Sequence, residues 1–431
     1  AVNNPAASMR MSIAEALTNM SGVLIKGLDQ VQVSANWMAA TGEEVEDMAL
    51  RDGVEALSKS CVDLNISIPV GKDSLSMRTK WEDGEVERVV KSPLSGVITA
   101  MAPVADVRNA VTPELNTEIP SKLIYVKLNN NTRMSGSIFS EVTRSNFINT
   151  PDVDDMSLLK DMFNSIQELV SQNKILALHD VSDGGLITSL LEMAFTKKVG
   201  LKITDKELNK SNLNEYFFSE ELGLVMQVAI SEIDTIEEKL SSIDLSTKII
   251  GSISDNKDIS IGNELENFFS ESVITLEKYW REASHAIQAI RDNQSIADSE
   301  LNLLDDQDYS GLFSNESFDE TTLESFNISK TKPRVAVLRE QGVNGQMEMA
   351  AAFTLAGFEA VDVHMQDLLD DKVNLKDFNG LAACGGFSYG DVLGAGGGWS
   401  KTIIHNDLVK DQFETFFNNT STFTLGVCNG C

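Results

Sequence analysis

The stretch from 333 to 431 restricts the fold more than any other part of this chain. Residues 334–338 read as a short apolar strand and 346–356 as a helix closed by Gly357, a natural C′ residue. Residues 361–365 alternate as a strand, and 381–384 and 422–427 read as two more. Strand, helix and strand at these lengths predict a doubly wound parallel sheet. In such a sheet the C-terminal ends of the strands collect at one edge, so loops that leave them can share a site.

The chain has 431 residues, which at roughly 150 residues per domain suggests about three domains. Residues 12–28 place Ile13, Leu17, Met20 and Leu24 on one helix face, with Ser12 as the expected N-cap and Glu15 as its capping-box partner. Strand-like stretches at 31–33 and 95–102 flank a helix near 46–61, and Pro103 and Pro113 bracket a connection. A second unit follows, with strands at 122–128, 175–178, 223–230 and 247–253 and helices over 155–172 and 185–195. Between 291 and 328 ten acidic residues face one basic residue, Arg291, and apolar periodicity is weak, so a solvated linker is expected. The predicted organisation is an α/β and α+β unit over 1–117, a second over 118–290, an acidic linker over 291–332 and the doubly wound domain over 333–431.

Composition narrows the function classes. With 35 basic and 65 acidic residues the net charge is −30, which argues against a nucleic-acid backbone as partner. It leaves room for phosphorylated small molecules, because Mg²⁺ held by carboxylates reverses the local sign. The plain reading of the charge is solubility. No apolar run approaches a membrane helix, and the N-terminus lacks the pattern of a signal peptide. The cysteines Cys61, Cys384, Cys428 and Cys431 are too few for a disulfide scaffold, so a reducing cytoplasm is expected. The missing initiator Met and a last residue inside a strand–turn motif suggest a fragment of a longer protein.

Five motifs could carry chemistry. Gly426-Val427-Cys428-Asn429-Gly430 follows an apolar strand with the Gly-x-nucleophile-x-Gly spacing of a nucleophile elbow. A buried structural thiol, or a redox or zinc role for Cys428-x-x-Cys431, competes with that reading; no second CxxC or histidine pair is present, and His179, His285, His364 and His405 are scattered. The glycine-rich run 384–398 could lend a backbone N–H to an oxyanion hole, or could be a flexible turn. The run 179–185 puts Asp180 at an expected strand end, suited to Mg²⁺, and Ser182 at a helix start, suited to phosphate. Asp, Ser and Gly clusters are also ordinary caps and turns. Glu15 and Asn19, at i and i+4, share a helix face that could be solvated or could supply oxygen ligands. Residues 68–77 combine a glycine, Lys72, Asp73 and two hydroxyls without the Walker A pattern, and fit a ligand loop or a polar turn.

Taken in order, EALTN (15–19), SANWMAATG (34–42), IPVGKDSLSM (68–77), HDVSDGG (179–185), EELG (220–223), REQGVN (339–344), CGGFSYGDVLGAG (384–396) and GVCNG (426–430) resemble the large, single-chain phosphoribosylformylglycinamidine synthases. The resemblance covers nearly the whole chain. It implies two units like those of aminoimidazole ribonucleotide synthetase, then a flavodoxin-like class I glutaminase domain. It implies conversion of formylglycinamide ribonucleotide, ATP and glutamine to formylglycinamidine ribonucleotide, ADP, phosphate and glutamate, a step of purine synthesis, in a protein that usually works as a monomer. By motif match Cys428 is the glutaminase nucleophile, and amides near Gly386 or Phe387 and of Asn429 form the oxyanion hole. Glu15, Asn19 and Asp180 match Mg²⁺ ligands and Ser182 a nucleotide contact, in a site that turns ATP over or holds ADP as a structural element. The triad His and Glu of the family lie beyond position 431, the first synthetase half is absent, and so is a metal-binding Asp upstream of Glu15. The chain alone is therefore expected to be inactive. A stand-alone cysteine hydrolase using His364 or His405 is the alternative.

Overall fold

The computed structural model describes residues 2–84, 86–306, 309, 311, 312, 317 and 331–431. The chain forms two compact units, Ala1–Ser310 and Gly311–Cys431.

In the first unit, α1 spans Pro5–Met20, not 12–28. Asn4 caps it, its side chain accepting the Ala7 N–H at 3.0 Å, and Pro5 sits where a missing N–H costs nothing. That start outcompetes Ser12, which lies inside the helix with its hydroxyl on the Ser8 carbonyl. Met9, Ile13 and Leu17 of α1 are fully buried and pack toward α2, Glu44–Leu64. Beneath them β1 (Gln32–Met38) pairs parallel with β2 (Ser67–Ser74). The hairpin of β3 (Arg78–Asp83) and β4 (Val86–Lys91) follows, and β5 (Ser95–Met101) closes on β1 antiparallel. Residues 67–74 are therefore strand rather than loop or turn. Gly71 is needed there because a Cβ would stand 2.2 Å from the Ala35 carbonyl oxygen across the pair.

A seven-stranded sheet of order β12-β11-β8-β10-β6-β9-β7 fills the rest of this unit. Its strands are β6 (Ser121–Lys127), β7 (Ala177–Val181), β8 (Gly200–Thr204), β9 (Gly223–Ala229), β10 (Ser246–Ser254), β11 (Asp258–Gly262) and β12 (Asn267–Ser272). Helices α3 (Ile138–Thr143), α4 (Met156–Ser171), α5 (Gly185–Lys197), α6 (Leu213–Phe218) and α7 (Ile233–Ser241) connect them. Ile13, Leu17 and Val33 share one apolar core with Ile124, Phe163 and Met226, so the two regions expected over 1–117 and 118–290 form one packed body. Strand β7 begins two residues later than expected and runs to Val181, so Asp180 sits at the strand end as expected, with its side chain buried.

The expected linker begins as structure. Helix α8 (Val273–Arg291) is followed by α9 (Gln294–Asn302), capped by Asn293 and tied back by His285–Asp298 at 2.9 Å and Lys278–Asp305 at 2.6 Å. Asp298 of α9 and Asp305 just beyond it thus find partners on α8 that a count by segment overlooks. Residues 307, 308, 310, 313–316 and 318–330 of that linker lie outside the described residues.

The second unit is the doubly wound parallel sheet. Its strands are β13 (Arg334–Arg339), β14 (Glu359–His364), β15 (Gly380–Ala383) and β16 (Phe423–Gly426), in the order β14-β13-β15-β16, all parallel. Helices α10 (Gln346–Leu355), α11 (Met365–Leu369), α12 (Gly397–Ile404) and α13 (Asp407–Phe417) complete it. The strand order reverses between β13 and β15. The loops after β13, β15 and β16, which hold the motifs at 339–344, 384–396 and 426–430, meet at that edge.

Candidate active site and acidic pocket

The turn after β16 is an elbow. Cys428 has φ +54°, a left-handed conformation that a side chain occupies only where its surroundings enforce it. The enforcement is visible on both sides. A Cβ on Gly430 would stand 2.2 Å from the Ala383 carbonyl oxygen, and one on Gly426 would stand 2.9 Å from that of Gly430. Both flanking glycines are therefore required, and the thiol of Cys428 is left exposed at the strand end. Cys384 is buried, and burial pushes its thiol up from the usual range.

The glycine-rich loop after β15 lies against this elbow. A Cβ on Gly385 would touch Cys428 Cβ at 3.4 Å. On its other side the loop forms a short ladder with the segment after β13. Asn344 donates its N–H to the Gly385 carbonyl at 2.9 Å, and Phe387 donates to Gly342 at 2.7 Å. The Phe387 amide is thus occupied and is not the donor expected for an oxyanion. Among the described residues no hydrogen bond engages the N–H of Gly386 or Asn429, and these two amides remain. Gly386, at φ +132°, is confined by the backbone of Val343 and Asn344, which a Cβ would strike. A cavity of about 630 Å³ beside Cys428 is bordered by Ala395, Trp399, Thr424 and Cys431, with no histidine in its lining. His364 caps α11, its Nδ1 accepting the Gln366 N–H.

The first unit holds a second candidate site, about 330 Å³ in volume, between α1 and the start of α5. Ser12, Glu15, Ser182, Asp183 and Glu220 border it. Burial, reinforced by Asp183, Asp180 and Glu220, pushes the Glu15 carboxyl up to about 7. Glu220 is raised by burial as well, although it accepts the N–H groups of Gly184 at 2.9 Å and Ile138 at 2.8 Å. Asp180 faces inward beside His179. The His179 ring approaches Asp180 Oδ1 at 3.3 Å and Glu192 Oε2 at 3.0 Å. Burial draws His179 down, but the two carboxylates outweigh it and hold the imidazole up to about 10, so it is a cation at neutral pH. Asn19 is exposed, one turn along α1 from Glu15, and does not border the cavity.

Of the expected nucleotide-site residues, the structure thus brings Glu15 and Ser182 to one cavity, buries Asp180 close by, and leaves Asn19 exposed outside the cavity wall. Asp183 and Glu220 went unassigned in the sequence, though both lie in the quoted motifs. Among the described residues no three His, Cys, Asp or Glu side chains draw together closely enough to hold a metal ion. The donor chemistry nevertheless fits a hard divalent cation. Glu15 and Asp183 are like-charged oxygen donors with no basic partner among the described residues, and mutual repulsion is what such an ion relieves. The set is incomplete and needs further oxygen ligands.

Comparison with known proteins agrees with this layout. Residues 1–103 match the FGAR-AT PurM_N-like domain, 121–262 the C-terminal domain of AIR synthase related proteins, and 332–431 the CobB/CobQ-like glutamine amidotransferase domain. Among solved structures, PurL of T. maritima complexed with ATP is 11% identical with a TM-score of 0.45, over 63% of this chain and 40% of that one. The same protein complexed with FGAR is 9% identical with a TM-score of 0.48, over 64% and 43%. HypE of E. coli, a hydrogenase maturation protein, is 15% identical with a TM-score of 0.44, over 61% and 78%. The chain therefore spans about 40% of the length of those PurL chains. By its domains it combines AIR-synthase-related modules with a glutamine amidotransferase domain. The three in this order make it an FGAM synthase-like protein. Among the described residues no helix is long and apolar enough to cross a membrane.

Proposed function

We propose that this chain serves the ATP-dependent conversion of formylglycinamide ribonucleotide and glutamine to formylglycinamidine ribonucleotide, ADP, phosphate and glutamate. The observation that carries the reading is Cys428 at φ +54°, exposed, with Gly385 against it. The Cys428 sulfur attacks the side-chain amide carbon of glutamine. The resulting oxyanion is held by the N–H groups of Gly386 and Asn429, and collapse to a thioester expels ammonia. Water then hydrolyses the thioester to glutamate. In the synthetase reaction, ATP phosphorylates the amide oxygen of the ribonucleotide substrate, which turns a poor leaving group into phosphate that ammonia can displace. Replacing Cys428 by Ala tests the assignment. Glutamine-dependent synthesis is expected to fall at least a thousandfold while synthesis from added ammonium salt persists; retained glutamine use would overturn it.

The acidic pocket is proposed as the nucleotide site, with Mg²⁺ held by Glu15 and Asp183, which border it, and a phosphate by Ser182; Asp180 and Asn19, the other ligands the resemblance implies, do not line this cavity. Bound there, the ion would offset the charge of the phosphates. A structural role for ADP in this pocket has a specific support: Glu220 already joins the α3 and α5 starts, so a ligand beside it would brace the same two elements. The cavity bordering Cys428 lacks a histidine, and His364 is engaged as a helix cap, which disfavours a stand-alone hydrolase.

A further inference from the structure

The glycine-rich loop is strained where it passes the cysteine. Tyr389, Gly390 and Asp391 follow one another at φ +52°, +62° and +56°. Two of the three carry side chains, for which this left-handed conformation is unfavourable, so the turn persists only if its surroundings fix it. The ladder to 341–344 fixes one side. On the side of the elbow, the hydrogen bonds between 385–396 and 427–431 among the described residues all run through one side chain, that of Asn429. It is buried; its Oδ1 accepts the Ser388 N–H at 3.3 Å and its Nδ2 donates to Asp391 Oδ1 at 3.3 Å. Its own carbonyl lies where a Cβ on Gly396 would be 2.8 Å away, so the far end of the loop is fitted to the same residue.

We propose that the Asn429 side chain is a positioning residue, which pins the glycine-rich loop to the cysteine elbow and so keeps the Gly386 amide in register with Cys428. The proposal rests on the reading of Cys428 as the glutaminase nucleophile. It gives Asn429 two separable roles, since the backbone N–H faces the chemistry and the side chain holds the opposite wall in place. An amide is required rather than a carboxylate. The residue must accept from a backbone N–H and donate to a carboxylate at the same time, which the amide does through two separate atoms and an ionised carboxylate cannot.

The test is a side-chain exchange in the full-length protein, read as glutamine hydrolysis with kcat and KM separated. Asn429→Asp removes the donor and faces Asp391 with a second carboxylate. Loss of one preorganised oxyanion donor costs roughly a hundredfold or more, so kcat is expected to fall ten- to a hundredfold with KM within threefold. Asp391→Asn combined with Asn429→Asp restores an amide–carboxylate pair across the same gap and is expected to recover kcat to within about fivefold of the parent. Amide hydrogen exchange over 385–394 should quicken in the single variant and slow again in the pair. The proposal is overturned if the single variant, melting within a few degrees of the parent, keeps its kcat, or if the pair is no better than the single. Alkylation of Cys428 by iodoacetamide should be the same in all three proteins. Should the parent still hydrolyse glutamine with Cys428→Ala, the nucleophile reading fails and this proposal with it, an outcome distinct from an unrescued Asn429→Asp.

Discussion

The elbow in the second unit and the acidic pocket in the first are built from opposite materials. At Cys428 the site is made of backbone: a left-handed cysteine, glycines that nothing else can replace, and amides left undonated. Between α1 and α5 it is made of side chains, carboxylates crowded by burial until Glu15 titrates near 7. The first kind of site imposes residue types at fixed spacing and does not tolerate small steric changes. The second depends on which strand register and which helix start the fold selects, and its state varies with pH and ions.

That contrast can be broken by four substitutions. The largest effect is expected from Gly430→Ala, whose Cβ would meet the Ala383 carbonyl oxygen at 2.2 Å. Backbone cannot yield as a side chain can, so glutamine hydrolysis should be lost and the second unit destabilised by about 3 kcal/mol in a denaturant melt. Unchanged stability and activity would mean the elbow is not as rigid as its geometry implies. Next is Glu220→Ala, which leaves the N–H groups of Gly184 and Ile138 without their acceptor. A loss of about 1–3 kcal/mol in the first unit is expected by calorimetry, with glutamine hydrolysis untouched.

Glu15 sharpens the comparison through pH. Its carboxyl titrates at about 7 in the folded protein against 4.5 for the ordinary group. The folded state therefore holds this proton more tightly, and the stability it confers is complete below pH 4.5 and lost as pH rises through 7. Because the group is only partly buried, solvent screening reduces the effect to about 1–2 kcal/mol. Melting of the first unit should decline across that window in the parent and decline less in Glu15→Gln, where Glu220, also raised by burial, still titrates. Mg²⁺ should recover stability at pH 8 and not at pH 4.5, where Glu15 is protonated; equal effects at both would remove the carboxylate from the proposed ion site. The smallest effect is expected at Lys278→Ala, which breaks an exposed pair with Asp305 on the strap joining α8 to the end of α9. A change under about 1 kcal/mol is expected there, with neither site altered.

The same contrast explains what could be read in advance. The parallel sheet was legible because apolar runs and a C′ glycine mark its elements: the strand from Arg334 and the helix from Gln346 begin where the pattern puts them. The elbow was legible because its glycines are sterically obligatory. The start of α1 was misplaced because Ser12 and Glu15 mimic a capping box while Asn4-Pro5, the stronger signal, precedes the apolar stripe. Asp180 lies at the end of a strand, as its pattern suggests, but strand position alone does not reveal that its side chain is buried beside His179. Phe387 was assigned an amide that the ladder to Gly342 consumes, a pairing between segments 45 residues apart that spacing cannot reveal. Asp183 and Glu220 carry the electrostatics of the pocket, yet as acidic residues in a chain of net charge −30 they stand out only once Glu15 is seen between them.

The account depends most on which sulfur reacts. The direct measurement is peptide mapping after the full-length protein has been treated with a glutamine-mimicking diazoketone, with and without excess glutamine. The account predicts one label, on Cys428, suppressed by glutamine and absent from Cys431, Cys384 and Cys61. A label on Cys431, or an unmodified Cys428 in protein that still hydrolyses glutamine, would contradict it.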